Sequence, residues 1–116
     1  VKIKANASLD GIKRVMRHAM KHAEEIWLDL GHECVITSGT EFDGRYHDLD
    51  GVFDLSHSAG SLHYSGYAID LRTRYFKDKG KEAARRLSDK LSQYSNAFGR
   101  FQVILESNHI HVEWDD

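Results

Sequence analysis

With 116 residues, 16 of them basic and 18 acidic, the chain has the size of a single domain spanning 1–116 and a net charge of −2. That balance excludes recruitment to nucleic acid or an anionic membrane by overall charge. One cysteine excludes an internal disulfide and a multi-cysteine metal site, and no apolar run approaches the ~20 residues that cross a bilayer.

The opening Val1-Lys2-Ile3-Lys4 does not read as a signal peptide. From Ser8 to Leu30, Ile12, Val15, Met16, Ala19, Ala23, Ile26, Trp27 and Leu30 recur at three- and four-residue steps. They predict an amphipathic helix capped by Ser8 and stopped by Gly31, with Lys13, Arg14, Arg17 and Lys21 on its wet face. His18 and His22, four apart beside that stripe, lack a third ligand nearby and read as surface histidines. Cys34 to Thr37 reads as a short buried strand in which Cys34 is a packing residue. Ser38 to Ser61 has no sustained period and reads as a long loop bordering the working site. Its acidic run, Asp43, Asp48, Asp50 and Asp54, lacks the spacing of a calcium loop and reads as solvated.

Tyr67 to Thr73 alternates Ala68, Asp70 and Arg72 with Tyr67, Ile69 and Leu71, a strand with one chemical and one apolar face. Arg72 there suits a structural salt bridge. A second helix runs from Lys79 to Tyr94, with Ala84, Leu87, Leu91 and Tyr94 on one side, and Ser95-Asn96 ends it. Phe101–Leu105 and Ile110–Trp114 then form a hairpin turned through Glu106-Ser107-Asn108. The expected class is α+β, a small, mainly antiparallel sheet packed against two main helices.

A hydrolytic zinc site needs three nitrogen or oxygen ligands and one open position, where a water is acidified. His63, Asp70 and His111 can supply that set if Gly66 lets the backbone bend between the first two; alternation on the last strand puts His109, His111 and Glu113 on one face. The string Ser61-Leu-His63-Tyr-Ser-Gly66-Tyr-Ala68-Ile-Asp70, followed after the second helix by Glu106-Ser-Asn-His109-Ile-His111, resembles the paired signature of the zinc D-Ala-D-Ala carboxypeptidase and hedgehog superfamily. The motifs are S-x-H-x-x-G-x-A-x-D and a terminal H-x-H, and every fixed position is present.

The resemblance implies a hedgehog/DD-peptidase-like fold and one zinc ion per chain on His63, Asp70 and His111, with Ser61 as a supporting residue. It implies hydrolysis of an amide bond in peptidoglycan stem peptides or cross-links, by a carboxypeptidase or by an endopeptidase such as a phage endolysin domain, acting on the cell wall as a monomer. Glu106 is the expected general base, at a position that departs from the many relatives whose glutamate stands three residues before the ligand, where this chain has Asn108; Glu113, on the face of His111, is the alternative. His109 resembles the family's non-ligand histidine beside the metal. Arg45 is the nearest counterpart of the arginine that holds a substrate carboxylate, and Tyr64, Tyr67 and Trp114 are candidates for a groove wall. Hedgehog-type relatives hold calcium beside zinc, and some of them keep the metal triad as binding modules without turnover, which is the alternative function.

Overall fold

The first helix begins later than the apolar period suggests. In a computed structural model describing residues 1–41, 44–47, 52–55 and 65–115, with side chains outside 44–47 and 52–55, α1 spans Arg14–Asp29. Ser8 caps a turn instead, its Oγ accepting the Asp10 amide at 3.1 Å, and Gly11 at φ +77 interrupts any helix there. The other end follows the sequence. Gly31 adopts φ +88, its N–H meets the Leu28 carbonyl at 3.0 Å and the His32 N–H meets that of Trp27 at 2.9 Å, a Schellman termination.

Five strands, β1 (Lys2–Ile3), β2 (Val35–Ser38), β5 (Ala68–Arg72), β6 (Arg100–Leu105) and β7 (His109–Asp115), form one sheet in the order β1-β2-β5-β7-β6. The β1–β2 pair is parallel and the other pairs antiparallel. The expected long loop instead contains a separate hairpin, β3 (Gly44–His47) with β4 (Val52–Leu55). The second helix, α2, spans Gly80–Leu91 and tightens into a 3-10 turn over Ser92–Tyr94.

Ile36, Ile69, Leu71, Ile110 and Val112 from the sheet meet Met16, Ala19, Ala23 and Trp27 of α1 and Leu87 and Leu91 of α2, all fully buried, in a single core. Each large side chain among them contributes roughly 1.5–3 kcal/mol through burial. Trp27 also donates its indole N–H to the Arg72 carbonyl at 3.0 Å, which ties α1 to the end of β5. The observed class is α+β, a mixed five-stranded sheet under two main helices. Among the described residues no helix is long and apolar enough to cross a membrane.

Candidate metal and hydrolytic site

β5 lies in the sheet centre between β2 and β7. Alternation sends Ile69, Leu71, Ile110 and Val112 into the core, leaving Asp70, Arg72, His109, His111 and Glu113 on the face away from the helices. The antiparallel register sets Asp70 opposite His111 and Arg72 opposite His109. Directly opposed residues share a face and come close. His111 Nδ1 accordingly lies 2.8 Å from Asp70 Oδ1, while its Nε2 lies 2.8 Å from Glu113 Oε1.

Those two contacts set a carboxylate oxygen against each ring nitrogen of His111. The hydrogen bond to Asp70 raises the His111 pKa above its ordinary value; burial pulls it back, and the Glu113 hydrogen bond and both carboxylate charges raise it further. His109 sits beside the pair. Its Nε2 is 3.8 Å from Asp70 Oδ1 and 3.7 Å from Glu106 Oε1, and its Nδ1 is 2.7 Å from Asn108 Oδ1. Glu106 opens the hairpin turn, closed by its amide on the His109 carbonyl at 2.8 Å, and its side chain is 49% exposed.

Asp70 and His111 are thus brought together, with His109, Glu106 and Glu113 around them. His63 and Ser61 lie outside the described residues, as do Tyr64, Asp43, Asp48 and Asp50. Arg45 stands opposite Asp54 in the β3–β4 register, and the side chains of both are likewise outside. Among the described residues no three His, Cys, Asp or Glu side chains form a complete metal-ligand group. The two donors that are described do suit a divalent ion such as zinc: one imidazole nitrogen and one carboxylate oxygen in direct contact, the second nitrogen held by another carboxylate.

The structure also places the other residues that the sequence singles out. Trp114 belongs to the opposite face, packed edge-on against Phe101 at 5.0 Å between centroids, so it lines no groove at the site. Tyr67 lies under the Lys13 ammonium, 5.8 Å from its ring centre. His22 is partly buried, 2.8 Å from the Tyr94 hydroxyl, and His18 stacks on the same ring at 4.5 Å. Arg72 has no carboxylate partner among the described residues. Burial pushes the Cys34 thiol up to about 12, so it stays protonated at neutral pH, as suits a packing residue.

Glu41 escaped the sequence reading altogether. Its carboxylate accepts the Ser8 amide at 3.1 Å, the Gly39 amide at 2.7 Å and the Ser38 hydroxyl at 2.6 Å. Burial alone opposes its ionisation, yet the hydrogen bonds from Ser38, Gly39 and Ser8 outweigh burial and hold the carboxyl below its ordinary range. This knot fixes the end of β2, where Ser38 opposes Asp70. Nothing in periodicity or spacing marks it, because its partners are mostly backbone amides. Comparisons with protein-family models, with curated proteins and with solved structures each return no match.

Proposed function

We propose that the chain is a zinc-dependent peptidase of the cell wall that hydrolyses an amide bond in peptidoglycan peptides. The observation that carries the reading is the pairing of Asp70 and His111, opposite one another in register and 2.8 Å apart, on the sheet face away from the core. The substrate class rests on the two motifs that contain these residues, and His63 of the first motif is the third ligand in this reading.

The ion, when bound, would acidify a water and polarise the amide carbonyl. Asp70 and His111 would hold it, with His63. Glu113 keeps a proton on Nε2 of His111 and fixes the ring orientation, which makes it a positioning residue. Glu106, with its side chain half in solvent and next to His109, takes the proton of the attacking water and returns it to the leaving amine. His109, standing between Glu106 and Asp70, donates to the developing oxyanion.

The test is incubation of zinc-loaded protein with purified peptidoglycan and muropeptides, followed by mass spectrometry of the fragments. New amine and carboxyl termini, absent after chelation and restored by zinc, are the expected result. Stoichiometric zinc with no cleavage would overturn the enzyme reading in favour of a hedgehog-type binding module.

A further inference from the structure

We infer that the free edge of β6 pairs antiparallel with the β6 edge of a second copy of this chain, in the register that sets Val103 against the partner's Val103 and Arg100 against the partner's Glu106. This dimer takes the place of the monomer that the motif resemblance implies, and it depends on neither the metal nor the peptidase reading. β6 ends the strand order β1-β2-β5-β7-β6, so β7 flanks it on one side only. At the other end of the sheet β1 has two residues, whereas β6 has six. An unpaired edge of that length is a template for another strand unless something blunts it. The chain contains no proline, β6 pairs with β7 without a break in register, and Phe101 to Leu105 carry no charge. Ile104 and Leu105 remain 42% and 39% exposed.

The phase of the ladder decides which backbone groups this edge offers. The Glu106 amide donates to the His109 carbonyl at 2.8 Å, and hydrogen-bonded and non-hydrogen-bonded pairs alternate along antiparallel strands. Ile104 with His111, Gln102 with Glu113 and Arg100 with Asp115 are therefore the bonded pairs, and the N–H and C=O groups of Phe101, Val103 and Leu105 turn to the free edge. The Trp114 amide, donated to the Tyr67 carbonyl at 2.9 Å rather than to Phe101, fits the same phase. Among the described residues, those outward groups make no hydrogen bond.

Two-fold symmetry then narrows the register. With Val103 on the axis, the outward groups of Phe101, Val103 and Leu105 meet those of the partner's Leu105, the partner's Val103 and the partner's Phe101, and each finds its acceptor or donor. The same register sets Arg100 opposite the partner's Glu106 at both ends of the seam. Both side chains are exposed, and among the described residues Arg100 has no carboxylate within 4.0 Å. Sliding the partner by two residues keeps the phase, but it leaves Leu105 or Phe101 facing chain outside the strand and separates Arg100 from the partner's Glu106. Arg100 and Glu106 share the sheet face of His109 and His111, so the partner's cation stands beside the carboxylate read above as the general base.

Analytical ultracentrifugation of the full chain, from about 1 µM to about 1 mM, provides the test. The expected result is a reversible shift from 13.3 kDa to twice that mass, with no larger species. Arg100→Glu, which turns both end contacts into like-charge pairs, should weaken association about tenfold or more, and adding Glu106→Arg should restore it. Val103→Pro removes an outward N–H and none of the bonds between β6 and β7, and should leave a monomer. Circular dichroism checks the fold of each variant, and Ile104→Lys serves where the proline variant does not fold. A mass of 13.3 kDa over the whole range overturns the dimer and leaves the edge to an extended peptide. Growth beyond two chains overturns it in favour of pairing with the β1 edge. A dimer that ignores Arg100→Glu, or that the charge exchange fails to restore, overturns the register and the inference with it.

Discussion

Replacing Glu113 by glutamine separates two roles that the sequence left open. Its Oε1 lies 2.8 Å from His111 Nε2, and the two side chains are only 21% and 16% exposed, so the contact is a largely desolvated, charge-assisted hydrogen bond. Such bonds contribute roughly 1.5–3 kcal/mol. Glutamine keeps an acceptor oxygen but loses the charge, which costs about half of that, and an interaction acting through a metal-binding imidazole then weakens zinc affinity about tenfold. The assay is displacement of zinc from a chromophoric chelator at neutral pH, run beside single-turnover hydrolysis. Glu106→Gln, half-exposed and in contact with His109 rather than His111, should leave zinc affinity unchanged and slow hydrolysis on the order of 10²–10⁴-fold. If Glu113→Gln binds zinc like the wild type yet fails to turn over, while Glu106→Gln remains active, the two assignments are reversed and the reasoning from the Nε2 contact is wrong.

Gly66→Ala should destabilise the protein by about 2–4 kcal/mol, because the residue sits at φ +87 and an added Cβ would meet the Gly11 carbonyl oxygen at 2.3 Å, backbone against backbone. An unchanged urea midpoint would contradict the turn described at that position. For Glu41 the sign follows from a folded-state pKa held below the ordinary 4.5: its stabilisation is fully present above the unfolded value and is lost as pH falls through the folded one. Glu41→Gln should therefore lower stability at neutral pH and flatten the acid side of the stability profile, measured by thermal melts across pH; parallel profiles for the two proteins would refute the assignment.

Elements with a strong period were readable from the sequence. Leu87 and Leu91 of α2 and the alternation of Ile69 and Leu71 with Asp70 stand where the pattern places them. The start of α1 was misplaced because a serine that caps a helix and one that caps a turn use the same hydroxyl acceptor, and only Gly11 distinguishes them here. The β3–β4 hairpin has four-residue strands that pair with each other rather than with the main sheet, too short for alternation to stand out. At the candidate site, alternation alone sufficed to put His109, His111 and Glu113 on one face, and the register then supplied the match with Asp70. The free edge of β6 was hidden, since the backbone groups it offers follow from the strand order and the β6–β7 pairing rather than from side-chain alternation.

The place of β5 in the sheet has a bearing on how the protein matures. Asp70 is 41 residues ahead of His111, and β7 follows every other strand of the sheet in chain order although it docks next to the central one. A nascent chain that has not yet emitted β7 carries an aspartate without its imidazole, and contacts this distant form late compared with local helix formation. In the proposed reading, ion uptake by both donors is coupled to closing of the sheet, so a metal supplied to the finished protein and one present during refolding should be captured at different rates, with the β5–β7 seam acting as the timing element.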